Sequence, residues 1–328
     1  MSLQPIKLHQ GLSLVELMIA MTLGLLVTGG VLGIFMANQQ TYQVNQTISA
    51  IQENSRAVFQ LMARDIRSAG FSGCTNSTVM ANTLNSNPNT DWWASWNNGI
   101  RGFDDGQPTS FNPARVPGTD SIQVMYGGGR SINVEAHTAN SANFKVNKDN
   151  HGIKEGDIIV ACDSAHTAIF QVTNANQNNG TIVHNTGKGT PGNCTKLLGF
   201  PVLCDGTGLK GTPYEFTSNA MMMSLQSQAW YVGVNPRNTN SLYRVDIQDG
   251  NPIYEEIIDG VEELNFRYLR SGNTAYQTAN DINNIGVDEW ANVIAVEIEL
   301  ILLDDPKIKL LKDMRRMRQV VAIRNRVE

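Results

Sequence analysis

The sequence predicts an α+β fold in which one long N-terminal helix packs on a β-rich, antiparallel head. Three observations carry that expectation. A 21-residue run without charge, Leu17 to Ala37, passes into a stretch with helical spacing of apolar residues; beyond Gly70 the spacing becomes alternating; and four cysteines fall in that second part with no C-x-x-C pair. The composition agrees. Of 328 residues 41% are hydrophobic, enough for a packed core. Only 17% are charged, against about 25% in an ordinary soluble domain, and such a polar, uncharged surface suits a protein outside the cytoplasm. The balance of 25 Lys+Arg against 30 Asp+Glu gives a net charge of -5, which excludes a strongly basic nucleic-acid binder by bulk charge.

The first element follows from a short polar leader containing Lys7, then Gly11-Leu12-Ser13-Leu14-Val15-Glu16-Leu17. A helix of the uncharged run, at about 1.5 Å per residue, is long enough for the ~30 Å hydrocarbon core, with the span placed at about residues 14–37. A secretory signal peptide would have a shorter apolar region and a small-residue cleavage site, and Ala37-Asn38-Gln39-Gln40 is a poor one. Glu16 is the only ionisable side chain between Leu12 and Ala37. An uncompensated carboxylate in a bilayer costs about 2.5–3.5 kcal/mol, so it calls for a partner. A cut just before Leu12 would supply a terminal ammonium about one turn away; the alternative is a carboxylate that snorkels to the interface.

The helix continues beyond the membrane run. Val44, Ile48, Ile51, Ser55, Val58 and Met62 recur at spacings of four and three, giving one buried stripe. Gly70 is the expected stop, with Arg64 and Arg67 in the last turns where cations complement the helix dipole. Residues 12–69 as one helix would be about 87 Å long. Gly24, Gly29, Gly30 and Gly33 either loosen this stretch in an assembly or permit close helix packing.

The head begins with a stretch from Cys74 to about Gly118 expected to be mostly irregular. Strands are predicted at Ser121 to Tyr126, Ile158 to Cys162, Ala168 to Thr173 and Gln228 to Val234. Leu242 to Ile247 and Pro252 to Ile258 flank Asp249-Gly250-Asn251 as a hairpin; Val261 to Leu269 and Val293 to Leu303 follow. In the last of these Ile294, Val296, Ile298, Leu300 and Leu302 share a face opposite Glu297 and Glu299. A head of one sheet or of two packed sublobes, divided near Gly118 or Gly211, fits equally. Cys74, Cys162, Cys194 and Cys204 are expected to form two disulfides in an oxidising compartment. Of three connectivities, Cys194 with Cys204 and Cys74 with Cys162 is favoured, because the first closes a short loop and the second ties the helix end to the sheet.

Several features carry residue types used in catalysis. Cys162-Asp163-Ser164-Ala165-His166 reads better as a disulfide cysteine beside a loop histidine than as a nucleophile with its base, and His9, His137, His151 and His184 show no zinc-ligand spacing. Tyr126-Gly127-Gly128-Gly129-Arg130 lacks the Gly-Lys-Ser/Thr of a phosphate loop and is expected to connect strands. No catalytic, metal or cofactor residues are assigned. Two features are weighed as interaction sites. Lys307, Lys309, Lys312, Arg315, Arg316, Arg318, Arg324 and Arg326 crowd the last 22 positions, either to contact DNA, acidic lipid or an acidic partner, or as the charged face of a hairpin with Val320, Val321 and Ile323 turned inward. Trp92, Trp93 and Trp96 are either a partner-binding anchor or buried under a loop.

Glycine followed by an apolar residue, Ser, Leu, Val, Glu and Leu at the head of an uncharged run resembles the type III signal of type IV prepilins and type II secretion pseudopilins. The resemblance implies a leader of residues 1–11, prepilin peptidase cleavage after Gly11, N-methylation of Leu12, and a role for Glu16 in subunit docking. Leu12 stands where that family most often has Phe. Arg64-Asp65-Ile66-Arg67-Ser68-Ala69-Gly70-Phe71 and Arg318-Gln319-Val320-Val321-Ala322-Ile323-Arg324-Asn325-Arg326 further resemble the PilW family of minor pilins. This implies a pilin fold with a helix over 12–70 and an extracytoplasmic head over 71–328. It also implies a non-enzymatic role in priming pilus assembly and in the tip complex. The implied partners are prepilin peptidase, the other minor pilins, the major pilin, a tip adhesin and the inner membrane, which holds the chain until it joins the pilus. The alternatives are a J-like minor pseudopilin of a type II secretion system and an uncleaved membrane-anchored binding protein or adhesin.

Overall fold

The computed structural model describes residues 13–74, 80–85, 91–107, 110–147, 150–202, 204, 210–248, 250–304 and 312–326. Helix α1 is Leu14–Ser68, 55 residues long. It stops where glycine permits a left-handed residue: Gly70 has φ +73, and the Phe71 amide donates to the Ser68 carbonyl at 3.0 Å. Two compact units divide the chain after Glu53, so that α1 contributes its membrane-type segment to one and its last turns to the other.

In the first unit the helix offers only side chains to its surroundings. Every described residue from Ser13 to Gln43 is exposed, and the most apolar 18-residue window has a mean hydropathy of 2.2 with none of it buried. The predicted stripe is half-buried at Val44, Ile48 and Ile51, and full burial starts at Ser55, continuing through Val58, Phe59, Met62, Ala63, Asp65 and Ile66.

The second unit is built on strands β1 Met80–Asn82, β2 Ile100–Phe103, β3 Ser121–Thr138, β4 Asn143–Val146, β5 Ile158–Cys162, β6 Thr167–Gln171, β7 Asn174–Asn176 and β8 Thr181–Val183. They are followed by β9 Gly199–Val202, β10 Lys210–Thr212, β11 Met221–Val234, β12 Asn240–Gln248, β13 Asn251–Asp259, β14 Val261–Arg270, β15 Val293–Leu302 and β16 Arg316–Ala322. The antiparallel pair β3 and β11 is the spine of an 11-stranded sheet. One end of the spine carries β5, β6, β1, β4, β8 and β7; the other carries β2, β12 and β13. Separate three-stranded (β14-β15-β16) and two-stranded (β10-β9) sheets complete the head. The expectation of an antiparallel head needs one correction, since β1 joins β6 in parallel. Gly118 lies in the turn before β3 and Gly211 inside β10.

Burial explains why β11 lies at the centre. From Ser227 to Gly233 every residue is buried, so both faces of the strand are covered. Ala229 and Tyr231 meet Trp92, Trp93, Phe111, Tyr243 and Val245 on one side. Trp230, on the other, reaches Asp65 of α1. A second cluster around Ile132, Phe144, Ile159, Phe170, Ile182 and Met222 fills the opposite end of the spine. Cys74 is bonded to Cys162, tying the chain just after α1 to the end of β5, and Cys194 is bonded to Cys204.

The irregular stretch after Cys74 holds more order than expected: β1, β2 and two 3-10 turns at Trp92–Ala94 and Asn97–Gly99. The glycine run 127–129 is not a connection between strands. It lies inside β3, where Gly127 pairs with Leu225 and Gly128 with Ser224 before the register shifts. Gly129 takes φ +78 there, and the Gly127 amide donates to the Phe71 carbonyl at 2.6 Å. Glycine lets the long strand bulge and admits the chain leaving α1.

Candidate functional site

At its N-terminal end α1 is started by Ser13, whose carbonyl accepts from the Glu16 and Leu17 amides at 3.1 Å and whose hydroxyl accepts from the Glu16 amide at 3.2 Å. Ser13 with Glu16 three residues on is a helix-start pattern, and a carboxylate in the first turn complements the positive end of the dipole. Gly11 and Leu12, the predicted processing pair, lie outside the described residues. Cβ atoms placed on Gly24, Gly29, Gly30 or Gly33 would meet nothing within 4 Å, so these glycines are open to whatever packs on this segment.

At its other end α1 is clamped to the head by one carboxylate. Asp65 is 2% exposed and accepts from Trp230 Nε1 at 3.0 Å and from Arg244 Nε at 2.9 Å. Arg244 also pairs with Asp246. Sequence reasoning missed this anchor, although Asp65 falls three residues beyond Met62 and so stands in the buried stripe, where an acidic residue calls for a cationic partner.

The two motifs that flank the head in sequence meet in space. The Arg324 amide donates to the Arg67 carbonyl at 3.1 Å, and Arg326 donates to the carbonyls of Trp290 at 2.7 Å and Val293 at 3.1 Å, and to that of Asn98. Burial among these carbonyls lowers the Arg326 guanidinium to about 10. β16 is the edge strand beside β15, and basic residues on it and in the turn of helix just before it are matched to carboxylates: Arg318 to Glu299 at 2.6 Å, Arg315 to Glu262 at 2.6 Å and Lys312 to Glu263 at 2.5 Å. Lys307 and Lys309 lie outside the described residues. Val321 and Ile323 are buried as expected, but Val320 is 50% exposed, because neighbours on a strand point to opposite faces.

The remaining candidates are structural. Trp92 and Trp93 are buried in the core, which rules them out as an exposed anchor, and Trp96 is half-buried against the same cluster. Asp163 accepts from the His166 amide at 3.0 Å and from the Tyr214 hydroxyl at 2.9 Å, while His166 Nε2 lies 2.6 Å from the Leu198 carbonyl. His137 and His184 share a 3.1 Å contact between their Nε2 atoms; His137 stacks on Phe144, and Phe170 and Phe216 pack against the pair at tilted angles. Because His137 Nδ1 accepts from the Phe216 amide, its proton sits on Nε2 and points at His184. Burial lowers His137 to about 4; burial and then its neighbour lower His184 to about 3. Among the described residues no group of three or more His, Cys, Asp or Glu is arranged to hold a metal ion.

Residues 6–32 match the prokaryotic N-terminal methylation motif, and residues 229–324 match the type IV pilus-assembly protein W family, PilW. The chain is similar to prepilins over the first segment and to the PilW family over the second. No curated protein matches it. The PilW segment runs from the second half of β11 to Arg324, and so contains Trp230 and Arg244, which hold Asp65, and Arg324, whose amide reaches Arg67. PilW is a structural pilus-assembly family and not a known enzyme family. A pilin of this kind is membrane-anchored through its apolar helix, is processed by prepilin peptidase and interacts with other pilus components.

Proposed function

We propose that this protein is a minor pilin that helps prime type IV pilus assembly and forms part of the tip complex, in support of twitching, adhesion or DNA uptake. The observation that carries the reading is the methylation motif over residues 6–32 joined in one chain to the PilW segment over 229–324. In this reading residues 1–11 are the leader, with Lys7 on the cytoplasmic side as the positive-inside rule requires. Prepilin peptidase cuts after Gly11 and Leu12 is methylated. The segment Leu14 to Ala37 holds the subunit in the inner membrane with the head in the periplasm until it enters the pilus. Its partners there are the other minor pilins, the major pilin and a tip adhesin.

The driving force differs from that of a soluble bundle. Lipid tails already surround Leu14 to Met36, so helix association gains little from hydrophobic transfer and rests on close packing and on pairing of polar groups. Glu16 is the ionisable group available, the Thr22 and Thr28 hydroxyls being bonded within their own helix, and the four open glycines are the positions of closest approach. The test is Glu16→Ala in cells. Processing at Gly11 is expected to persist while incorporation and twitching fall. Normal piliation in that variant contradicts the role given to Glu16.

A further inference from the structure

We infer that the junction of α1 with the C-terminal segment is a docking pocket for an acidic, apolar-flanked segment of a neighbouring subunit. The inference rests on the pilin reading above and names the chemistry of one contact within it. A cavity of about 690 Å³ is lined by Arg64, Arg67, Ser68, Phe71, Arg324 and Asn325. All three arginines are exposed, and no described carboxylate forms an ion pair with any of them. Three exposed guanidinium groups that share one cavity with a half-exposed aromatic ring are what point to a ligand. Arg237, Arg244, Arg270, Arg315, Arg316 and Arg318 all have carboxylate partners.

The pocket is held ready by backbone bonds and not by its charged side chains. Arg324 is fixed through its amide to the Arg67 carbonyl, and Phe71 through its amide to Ser68 and its carbonyl to the Gly127 amide. Phe71 is 43% exposed despite its size and forms the apolar wall. Two arginines at the end of α1 complement the helix dipole, but that role leaves Arg324 and the exposed ring unexplained. Guanidinium forks pair with carboxylates in a bidentate manner, and an arginine cluster around an aromatic ring is the composition of a binding hot spot. A concave pocket with an aromatic wall fits a few side chains of a peptide better than the continuous phosphate ladder of DNA, whose binding needs an extended basic stripe.

The test uses the full chain in detergent micelles and three fluorescent probes: a short alternating Glu-Phe peptide, its Lys-Phe counterpart and a single-stranded oligonucleotide. The Glu-Phe peptide is expected to bind best. Arg64→Ala/Arg67→Ala/Arg324→Ala should weaken it at least about tenfold, Phe71→Ala should weaken it alone among the probes, and Lys312→Ala/Arg318→Ala should leave it within about twofold. Arg324→Glu, at an exposed site, supplies a second variant if the triple one fails to fold. No preference for the Glu-Phe peptide, or equal binding by the variants, overturns the inference. Tighter binding of the oligonucleotide, lost in the arginine variants and kept in Phe71→Ala, overturns it in favour of a nucleic-acid site. Methylation of Leu12 and Glu16-dependent incorporation are scored separately, so failure of the pocket with normal processing leaves the pilin reading standing.

Discussion

Asp65 Oδ2 lies 2.9 Å from Arg244 Nε, joining the last turns of α1 to β12 across 179 positions of sequence. The Asp65 side chain is almost fully buried, and the same oxygen accepts from Trp230. Removing one partner of a buried pair leaves the other uncompensated, at a cost of about 3–5 kcal/mol. Asp65→Ala is therefore expected to lower the unfolding free energy by that amount, and Asp246→Ala, at the more exposed carboxylate, by under about 1 kcal/mol. Denaturant unfolding of the full chain with its disulfides intact checks the ranking.

Two glycines with the same backbone conformation should respond very differently to alanine. Gly99 has φ +77 and Gly118 φ +81. A Cβ on Gly99 would lie 2.3 Å from the Gly70 Cα, whereas one on Gly118 meets nothing within 4 Å. Gly118→Ala is expected to cost about 1–2 kcal/mol from the left-handed conformation alone. Gly99→Ala adds a backbone clash and should cost more than about 3 kcal/mol. Thermal unfolding of the two variants side by side reads the difference.

The two disulfides should differ in value because they close different loops. Cys74 and Cys162 are 88 positions apart, Cys194 and Cys204 only 10. Loop-closure entropy assigns about 4.6 kcal/mol to the first and about 2.8 to the second. Paired serine variants, Cys74→Ser/Cys162→Ser and Cys194→Ser/Cys204→Ser, are expected to lose stability in that order in urea titrations.

Acid should weaken the head through the buried histidine pair. In the unfolded chain each imidazole takes up a proton as pH falls through 6.5, while the folded pair stays neutral to about 4 and about 3. Stability from this source is whole above pH 6.5 and falls below it, by about 1.4 kcal/mol per pH unit for each histidine. Asp120 has the opposite sign: burial lifts its carboxyl to about 6, so the folded state binds that proton first and gains stability as pH drops from 6 toward 3.8. Taken together, these three groups give a slope between pH 6 and 4 of about one histidine, and the lowered carboxylates of Glu256 and Glu299 steepen the loss toward pH 4. Unfolding titrations across that range should show it, and His137→Phe/His184→Phe should remove the acid-labile part.

How much of this was legible in the sequence follows from the range of the signals. Alternation marked the last third, where β12, β13, β14 and β15 lie within a residue or two of their predicted ends, because β12, β14 and β15 carry regularly spaced apolar residues and the Asp249-Gly250-Asn251 turn sets where β13 begins. It failed at β3, where Gly127 to Gly129 read locally as a break and the strand continues only because β11 pairs with both sides of the bulge. At Trp92 and Trp93 the sequence left anchor and burial open, because their burial depends on Tyr231 and Tyr243 far along the chain. For the candidate site, the residue types at Arg64–Phe71 and Arg318–Arg326 were visible, but their meeting was not. Nothing local to Arg67 reports that Arg324 will reach its carbonyl.

The central claim is tested most directly by intact mass and N-terminal sequencing of the protein from its own membranes, with and without prepilin peptidase. The account predicts an N-methylated Leu12 terminus only where the peptidase is present. A terminus at Met1 or Ser2 in both samples would contradict it and make the helix a permanent anchor.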